Sequence, residues 1–178
     1  IIGIQYGITA LLFMFFGFSL MMVMRWQLAY PDTAVPFVGG IIKWLANLNG
    51  FASNGSLPSD LYNVFGAMHG TIMIFLGVVP LIVGAFGNYL VPLQIGAPDM
   101  AFPKLNMTSY WVYFIGGVIM LISFFLPGGA ANSGWTSYPP LSDIATTGQT
   151  YWLIGMVFLI TSSLLGSMNI IVTIVQLR

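Results

Sequence analysis

Residues 71–87 read TIMIFLGVVPLIVGAFG and contain no charged side chain. They follow closely on His69, which is the only histidine among the 178 residues. About 20 consecutive apolar residues are enough for an α-helix to cross the hydrocarbon core of a bilayer. The stretch therefore predicts a membrane-crossing helix, and it raises the question of why an imidazole lies near its start.

The composition of the whole chain is typical of a membrane protein. Hydrophobic residues make up 58% of the chain and charged residues only 4%, whereas about a quarter of the residues of a soluble domain are charged. The absence of cysteine excludes disulfides and thiolate metal sites within these residues. The formal net charge is zero, so there is no basic surface for nucleic acid. We predict an integral membrane protein embedded in the lipid bilayer that binds no nucleic acid.

Four apolar segments are long enough to cross a bilayer. They cover approximately residues 6–29, 62–95, 106–127 and 149–176. An open β-sheet cannot satisfy its backbone hydrogen bonds in lipid, and the alternating pattern of barrel strands does not recur. We therefore predict an all-α fold, with residues 1–178 forming a single membrane domain, a polytopic helical bundle of four transmembrane helices. Pro80 predicts a kink near the middle of the long second span.

The connectors between the spans differ in length and charge. Residues 30–61 and 128–148 are long and turn-rich, and the stretch IIKWLANL at 41–48 predicts a short helix on the membrane surface. Lys104 lies in the short second connector and Arg178 follows the fourth span, so the excess of basic residues in cytoplasmic loops places both in the cytoplasm. The N-terminus is then cytoplasmic and the two long connectors are outside. Lys43 opposes this assignment, but it lies in a long connector, where the rule is weaker.

Small residues recur along the second span at Gly66, Gly70, Gly77 and Gly84. Their spacing of four, seven and seven places them on one side of a helix. Such a stripe lets a neighbouring helix approach closely, and it also admits a flat ligand. Helix packing is the commoner explanation, and the sequence leaves both open.

Arg25 and His69 are ionisable residues near the membrane interior. Arg25 stands near the end of the first span and His69 about two turns into the second, so we predict similar depths for them. Because both are bases, they cannot form an ion pair. A haem between them would offer iron to a neutral imidazole and polar substituents to a guanidinium. The alternative is that His69 hydrogen-bonds to a Ser or Tyr side chain and Arg25 extends to the membrane interface.

Asp99 and Lys104 lie at the predicted inner mouth of the bundle, with Asn88 and Asn106 in the adjoining helices. A carboxylate flanked by amides could collect protons from the cytoplasm into a water-filled passage. Equally, Asp99 could be an ordinary turn residue in the sequence APDM. The chain contains no glutamate and no Ser-His-Asp arrangement, so we predict no complete catalytic site within it.

Three stretches together resemble subunit I of the haem–copper oxygen reductases. HGTIMIFLGVVPLIVGAFGNYLVPLQIGAPDMAFPKLNMTSYW (69–111) is similar to the second and third helices of that subunit, LMMVMRWQLA (20–29) to the first helix, and GWTSYPPLS (134–142) to an outer loop. The segment GNYLVPLQIGAPDMAFP (87–103) is the most specific part. Members of the family have about twelve transmembrane helices, so the chain resembles the N-terminal third of such a fold.

The resemblance implies a role for five residues around two haems. His69 matches an axial ligand of the iron of the low-spin haem, which is of type a in many members. Arg25 matches the arginine that hydrogen-bonds a substituent of this haem, and Tyr62 matches a tyrosine close to it. Trp135 and Tyr138 match aromatic residues near the propionates of the oxygen-binding haem.

The resemblance also implies proton uptake and a set of partners. Asp99 matches the carboxylate at the entrance of a proton-uptake channel, and Asn88 and Asn106 match the asparagines inside it. The family implies cytochrome c as electron donor, oxygen as substrate, subunits II and III as partners, and a bacterial inner membrane as location. The second haem and the copper bind further along the family subunit, so the 178 residues alone are not expected to be active.

Several alternatives remain at this point. Quinol oxidases and nitric oxide reductases belong to the same superfamily, and two copies of a non-catalytic protein could each donate His69 to one haem. A bundle without a cofactor, structural or for transport, is a further possibility. The positions matching the quinone site of quinol oxidases are Phe16, Leu20, Leu61 and Val64, whose side chains cannot hydrogen-bond a quinone. This favours cytochrome c as the donor, and the set Asn88, Asp99 and Asn106 favours a proton-pumping oxygen reductase. Some members carry a carboxylate of a calcium or sodium site where this chain has Gln27, so we predict no such site.

Overall fold

The computed structural model describes residues 1–178 and is built of helices. We number them α1 (Ile2–Ala29), α2 (Gly39–Leu48), α3 (Ser59–Ile95), α4 (Pro103–Ile122, extended by a 3₁₀ turn at Ser123–Phe125) and α5 (Thr147–Gln176). The only β-type pairing is an isolated bridge between Ala130 and Gly148. Four helices, all except α2, are long and apolar enough to cross a membrane. This confirms the predicted all-α membrane bundle of four transmembrane helices.

The four long helices run alternately up and down, which gives the bundle two distinct ends. We call the end that carries residues 30–58 and 126–146 the connector end, and the end that carries residues 96–102 and both termini the short-loop end. Each long helix begins two to four residues before the span expected from the sequence. The stretch IIKWLANL lies within α2, so the short helix predicted there is present.

Helices α1 and α3 pack closely because α3 is lined with glycine. A Cβ atom added at Gly84 would lie 2.5 Å from the ring of Tyr6, and one at Gly66 would lie 3.2 Å from the Met24 methyl group. Gly77 faces Met14 at similarly close range. Helix packing therefore accounts for three of the four glycines in the stripe. The fourth, Gly70, faces Trp135 instead.

Helices α4 and α5 are joined by two reciprocal contacts between small residues. Gly116 and Gly155 face one another so closely that a Cβ on either would lie 3.1 Å from the carbonyl oxygen of the other. Two turns away, the Ser109 hydroxyl donates to the Ser162 carbonyl at 2.9 Å and the Ser162 hydroxyl donates to the Ser109 carbonyl at 2.7 Å. Close backbone approach and polar bonds of this kind hold helices together where lipid provides no hydrophobic driving force.

The middle of α3 departs from α-helical geometry on both sides of Pro80. Residues Ile72–Val78 and Pro80–Gly87 are π-helical, with hydrogen bonds five residues apart. Proline has no N–H, so the Leu76 carbonyl four residues earlier cannot accept the α-helical hydrogen bond from residue 80. The Tyr113 hydroxyl of α4 donates to this carbonyl at 2.7 Å. The third helix crossing the membrane thus donates a side-chain hydrogen bond to the backbone of the second close to Pro80.

Apolar side chains cover both the inner and the outer surfaces of the bundle. On α1 the buried side chains Tyr6, Phe13, Leu20 and Met24 recur at helical spacing and face the core. The remaining surface of α1 is also apolar but exposed, as at Ile8, Leu11 and Phe15. A helix that is apolar all round is either buried in protein or surrounded by lipid. This pattern belongs to an integral membrane protein.

Candidate functional site

The orientation of the His69 ring, and the tautomer of its neutral form, follow from its hydrogen bond to α1. Its Nδ1 lies 2.8 Å from the carbonyl oxygen of Gly17. Since a carbonyl can only accept, the proton of the neutral ring is on Nδ1, and Nε2 keeps its lone pair. Histidine ligands of metals are commonly held in this way, with one ring nitrogen donating to a carbonyl and the other free to bind. The hydrogen-bond partner is a backbone carbonyl rather than a Ser or Tyr side chain.

Gly17 makes this hydrogen bond possible because it lets α3 approach α1. A Cβ at residue 17 would lie 3.0 Å from the Met73 sulfur and 3.2 Å from Ile72. A larger residue would push α3 away and lengthen the bond to His69. The glycine on α1 and the histidine on α3 are 52 positions apart in the chain, so the pairing depends on the register of the two helices.

Arg25 lies closer to the connector end than His69 does. Met24 contacts Gly66 across the α1–α3 interface, so the Arg25 backbone is level with a point on α3 about one turn before His69, roughly 5 Å along the axis. The Arg25 side chain is exposed on the surface of the bundle. Tyr62 lies about two turns before His69 on the same helix and packs half-buried against the hydrophobic core.

Trp135 is brought next to the helix that carries His69. Its Cδ1 atom would lie 3.8 Å from a Cβ at Gly70, the residue that follows His69. The ring centroids of Trp135 and Phe75 are 6.0 Å apart. Tyr138 lies on the same loop, with a side chain that is 73% exposed.

A glutamine of α5 holds the loop on both sides of Trp135. The Ser133 hydroxyl donates to Gln149 Oε1 at 2.7 Å, and Gln149 Nε2 donates to the Ser137 hydroxyl at 2.9 Å. Gln149 is itself buried. Nothing in the residue pattern singles out this glutamine, because its two partners lie in an irregular loop.

Asp99, Asn88 and Asn106 line one cavity of about 400 Å³ at the short-loop end. Asn106 Nδ2 donates to Asn88 Oδ1 at 2.8 Å, which joins α4 to α3. The Asp99 side chain is exposed, and its Oδ1 accepts from the Met100 N–H at 2.7 Å. Lys104 lines the same cavity. The structure thus brings together the carboxylate and the two amides singled out in the sequence.

The loop that carries Asp99 is held by two polar residues of α5 that the sequence analysis missed. Asn169 Oδ1 accepts from the Phe102 N–H at 2.9 Å, and its Nδ2 donates to the Phe102 carbonyl at 3.2 Å. The Thr173 hydroxyl accepts from the Ala101 N–H at 3.0 Å. Both residues are fully buried. The sequence did contain a signal for them, because they are two polar residues one turn apart in an apolar span.

A second cavity, of about 410 Å³, lies deeper in the bundle and also has Asn88 in its wall. Its lining includes Tyr6, Ser109 and Ser162, whose hydroxyl groups form one cluster. Each serine hydroxyl donates to the carbonyl of the other helix, so the Tyr6 hydroxyl is the donor in its 2.8 Å contact with Ser109. Polar side chains therefore line both cavities, from Asp99 at the surface to Ser162 inside.

Comparison with known proteins agrees with the resemblance found in the sequence. The family profile described as cytochrome c and quinol oxidase polypeptide I matches residues 1–178. Cytochrome c oxidase subunit 1 of Thermostichus vulcanus is 46% identical over 179 aligned positions, which cover all of this chain and 28% of the relative.

Two further relatives have the same relation to the chain. Cytochrome c oxidase subunit 1 of a Synechocystis species is 40% identical over the whole chain and 28% of its own length. The alternative cytochrome c oxidase subunit 1 of Bradyrhizobium diazoefficiens is 38% identical over 85% of this chain and 27% of its own length. The chain thus spans between a quarter and a third of the length of these relatives. A match over every residue, together with this identity, confirms the predicted family, and the chain belongs to the cytochrome c and quinol oxidase polypeptide I family.

Proposed function

We propose that the chain contributes the low-spin haem site and the proton-uptake entrance of a cytochrome c oxidase. In this proposal the whole enzyme takes electrons from cytochrome c, reduces oxygen to water and pumps protons. Subunits II and III and the remainder of subunit I would complete it, and the second haem and the copper would bind outside these 178 residues. We further propose a bacterial inner membrane as its location, with the short-loop end in the cytoplasm.

The observation that carries the proposal is the hydrogen bond from His69 to Gly17. It leaves Nε2 of a neutral imidazole unprotonated, which is the donor that haem iron requires. It also fixes the plane of the ring, as hydrogen-bonded neighbours of metal ligands generally do. A haem held there, of type a by family resemblance, would supply one-electron transfer between donor and oxygen site.

The other residues have supporting roles in this proposal. Arg25 would contact a polar substituent of the haem, since its long side chain is exposed and begins about one turn from His69. Tyr62 would pack beside the same haem. Trp135 and Tyr138 would lie near the propionates of the oxygen-binding haem, and the contact of Trp135 with the segment after His69 supports this for the tryptophan.

Proton uptake would begin at Asp99 and pass Asn106 and Asn88. These three residues line one cavity, and Asn88 also lines the deeper one. From there the hydroxyl groups of Tyr6, Ser109 and Ser162 would continue the path, because hydroxyls can both accept and donate a proton. Asn169 and Thr173 would keep the Asp99 loop in position.

The packing of the matching quinone positions supports cytochrome c as the donor. Leu20, Leu61 and Val64 are buried in the hydrophobic core of the bundle, and Phe16 packs against this core. A quinone ring there would need both a cavity and hydrogen-bond partners. These side chains supply neither.

A reduced-minus-oxidised visible spectrum tests the haem assignment. Membranes that carry the protein in its native assembly are compared with membranes that carry His69→Leu. We expect the low-spin haem band to disappear in the variant, because leucine has no donor atom for iron. The position of the band in the unsubstituted protein also identifies the haem type.

Asn63→Leu is a matched control for this experiment. It introduces the same side chain on the same helix, at an exposed position about two turns before His69, and its spectrum should be unchanged. A His69→Leu spectrum that keeps the low-spin band, in protein that assembles normally, would contradict the assignment.

A further inference from the structure

Helix α2 has two separate apolar faces. One face is buried against the bundle and consists of Ile42, Leu45 and Ala46. The other face is exposed. It consists of Ile41, Trp44 and Leu48, with exposed fractions of 62%, 56% and 42%, and the turn just before the helix adds Phe37, which is 106% exposed. We call these four residues the outer stripe.

The outer stripe is a continuous surface along the helix axis. Within the helix, Ile41, Trp44 and Leu48 are spaced by three and four positions, which places them on one side at 3.6 residues per turn. Phe37 lies in the turn just before the helix. Lys43 and Asn47 project from a third side and are exposed. The surface of the helix therefore has three sides: one packed against the bundle, one exposed and apolar, and one exposed and polar.

The backbone at Phe37 is strained in a way that exposes its ring. Phe37 has a φ of +62°, a conformation that is uncommon for bulky residues. It is the central residue of a three-residue turn in which the Val38 N–H donates to the Pro36 carbonyl at 2.7 Å. Turns of this kind with positive φ are rare and strained. Backbone strain of this kind commonly marks a functional position. We therefore expect the exposed Phe37 ring to contact something outside the chain.

The outer stripe continues into an exposed apolar surface of α4. The rings of Trp44 and Phe125 have centroids 6.0 Å apart, and Phe125 ends the fourth helix at the connector end of the bundle. Phe125 and Ile122, about one turn earlier, are both exposed. The exposed apolar surface of α4, a helix long and apolar enough to cross a membrane, is therefore joined through Phe125 to the outer stripe of α2.

We propose that α2 is an interfacial anchor that lies in the plane of the bilayer surface, with the outer stripe inserted into the edge of the hydrocarbon layer. Its occupant is lipid because the stripe is continuous with a membrane-crossing surface and because the polar side is turned away from it. Trp44 then lies at the level of the headgroups, where tryptophan is enriched. Lys43 and Asn47 face water, as on other amphipathic helices bound to membranes. This inference is independent of the haem and of the proton path.

Spin labels on introduced cysteines test the depth of each side of α2. The chain has no cysteine of its own, so Ile41→Cys, Trp44→Cys, Lys43→Cys and Asn47→Cys each add one thiol to it. The protein in its native assembly is reconstituted in phosphatidylcholine vesicles. Power saturation then compares collisions with oxygen, which dissolves in the membrane, and with a water-soluble nickel chelate.

We expect labels at residues 41 and 44 to collide severalfold more often with oxygen than with the chelate, and labels at 43 and 47 to show the reverse. Labels at 41 and 44 that collide freely with the chelate would overturn the proposal, because the stripe would then face water. Low collision with both reagents at 41 and 44 would also overturn it, since another polypeptide would then cover the stripe.

Fluorescence quenching provides a second measurement that needs no label. Lipids brominated near the headgroup should quench more of the emission of the unsubstituted protein than of Trp44→Phe. The difference between the two proteins is the contribution of Trp44. Equal quenching in both would contradict a position of Trp44 in the interface.

Discussion

Arg25 is an exposed cation on α1, with its backbone level with a point on α3 about one turn before His69. If it contacts a haem substituent, its charge favours the reduced form of the haem, which is less positive. Arg25→Met should then lower the midpoint potential of the low-spin haem while leaving the haem bound. An interaction of ~1 kcal/mol corresponds to roughly 40 mV for one electron, so we expect a decrease on the order of tens of millivolts in a spectroelectrochemical titration.

Lys43→Met is the matched control for the change at Arg25. It replaces an exposed base of helix α2 by the same methionine and should leave the potential nearly unchanged. If both variants lower the potential equally, the effect is one of overall charge. An unchanged or higher potential in Arg25→Met would contradict a contact between Arg25 and the haem.

An asparagine has nearly the same shape as Asp99 but is uncharged and cannot take up and release a proton. Its Oδ1 accepts from the Met100 N–H, a bond that the carbonyl oxygen of asparagine can also accept. Asp99→Asn should therefore keep the loop in place but slow turnover, by about tenfold or more if the carboxylate feeds the enzyme. Oxygen consumption and proton release by vesicles carrying the complete oxidase measure this effect.

Asp143→Asn removes the same kind of charge at the connector end of the bundle. It should leave both rates unchanged. Normal oxygen consumption together with normal proton release in Asp99→Asn would show that Asp99 is only a turn residue.

At the level of single residues, the sequence singled out His69 as a candidate haem ligand, which stays a prediction, but it could not indicate which ring nitrogen makes the hydrogen bond. The imidazole was conspicuous because it is the only histidine, close to the start of an apolar run. The position of its proton depends on the Gly17 carbonyl, and nothing in the residues around Gly17 marks that carbonyl as an acceptor. It becomes one only when α1 and α3 pack in the observed register.

At the level of helices, the contact of Gly84 with the Tyr6 ring tests the close packing of α1 and α3. A Cβ at residue 84 would lie 2.5 Å from the Tyr6 ring. The ring cannot easily move, because its hydroxyl contacts Ser109 and Ser162 and its face stacks on Tyr113. Gly84→Ala should lower the stability by about 1–2 kcal/mol, since overpacking costs about 1–3 kcal/mol and outweighs the better helix propensity of alanine. Thermal unfolding in detergent measures the change.

Gly87→Ala makes the same change one turn later on the same helix. Its Cβ would lie 3.5 Å from the Ile170 methyl group, which is an ordinary contact. This variant should be as stable as the unsubstituted protein or slightly more stable. Equal losses in both variants would mean that alanine disturbs the π-helical segment itself rather than the contact with Tyr6.

The helices that cross the membrane could be predicted because each depends on a local property, a long apolar run. The π-helical segment of α3 could not, because its stability involves the Tyr113 hydroxyl of another helix. Pro80 signalled only that the helix would be irregular. For the same reason the loop anchors Asn169 and Thr173 were missed: their partners lie about 70 positions earlier in the chain.

At the level of the whole molecule, many of the buried polar side chains of this apolar bundle lie around its two cavities. The amides and hydroxyls from Asn106 to Ser162 face one another across α1, α3, α4 and α5. His69 is hydrogen-bonded to Gly17 of α1, and it lies between the connector end and the π-helical part of α3. Burying polar groups in a membrane is costly unless they are paired, and this arrangement separates the His69 imidazole from the polar groups that line the two cavities.

The orientation of the bundle in the membrane can be predicted from charge and tested by labelling. Lys104 and Arg178 both lie at the short-loop end, so the preference of basic residues for the cytoplasmic side places this end inside. A cysteine at Asn54 or Ile144, both exposed at the connector end, should react with a membrane-impermeant maleimide in intact spheroplasts. A cysteine at Ala97, in the short loop, should react only after lysis. The reverse pattern would put Asp99 on the outside, where it could not collect cytoplasmic protons, so this one measurement bears on both the topology and the direction of proton uptake.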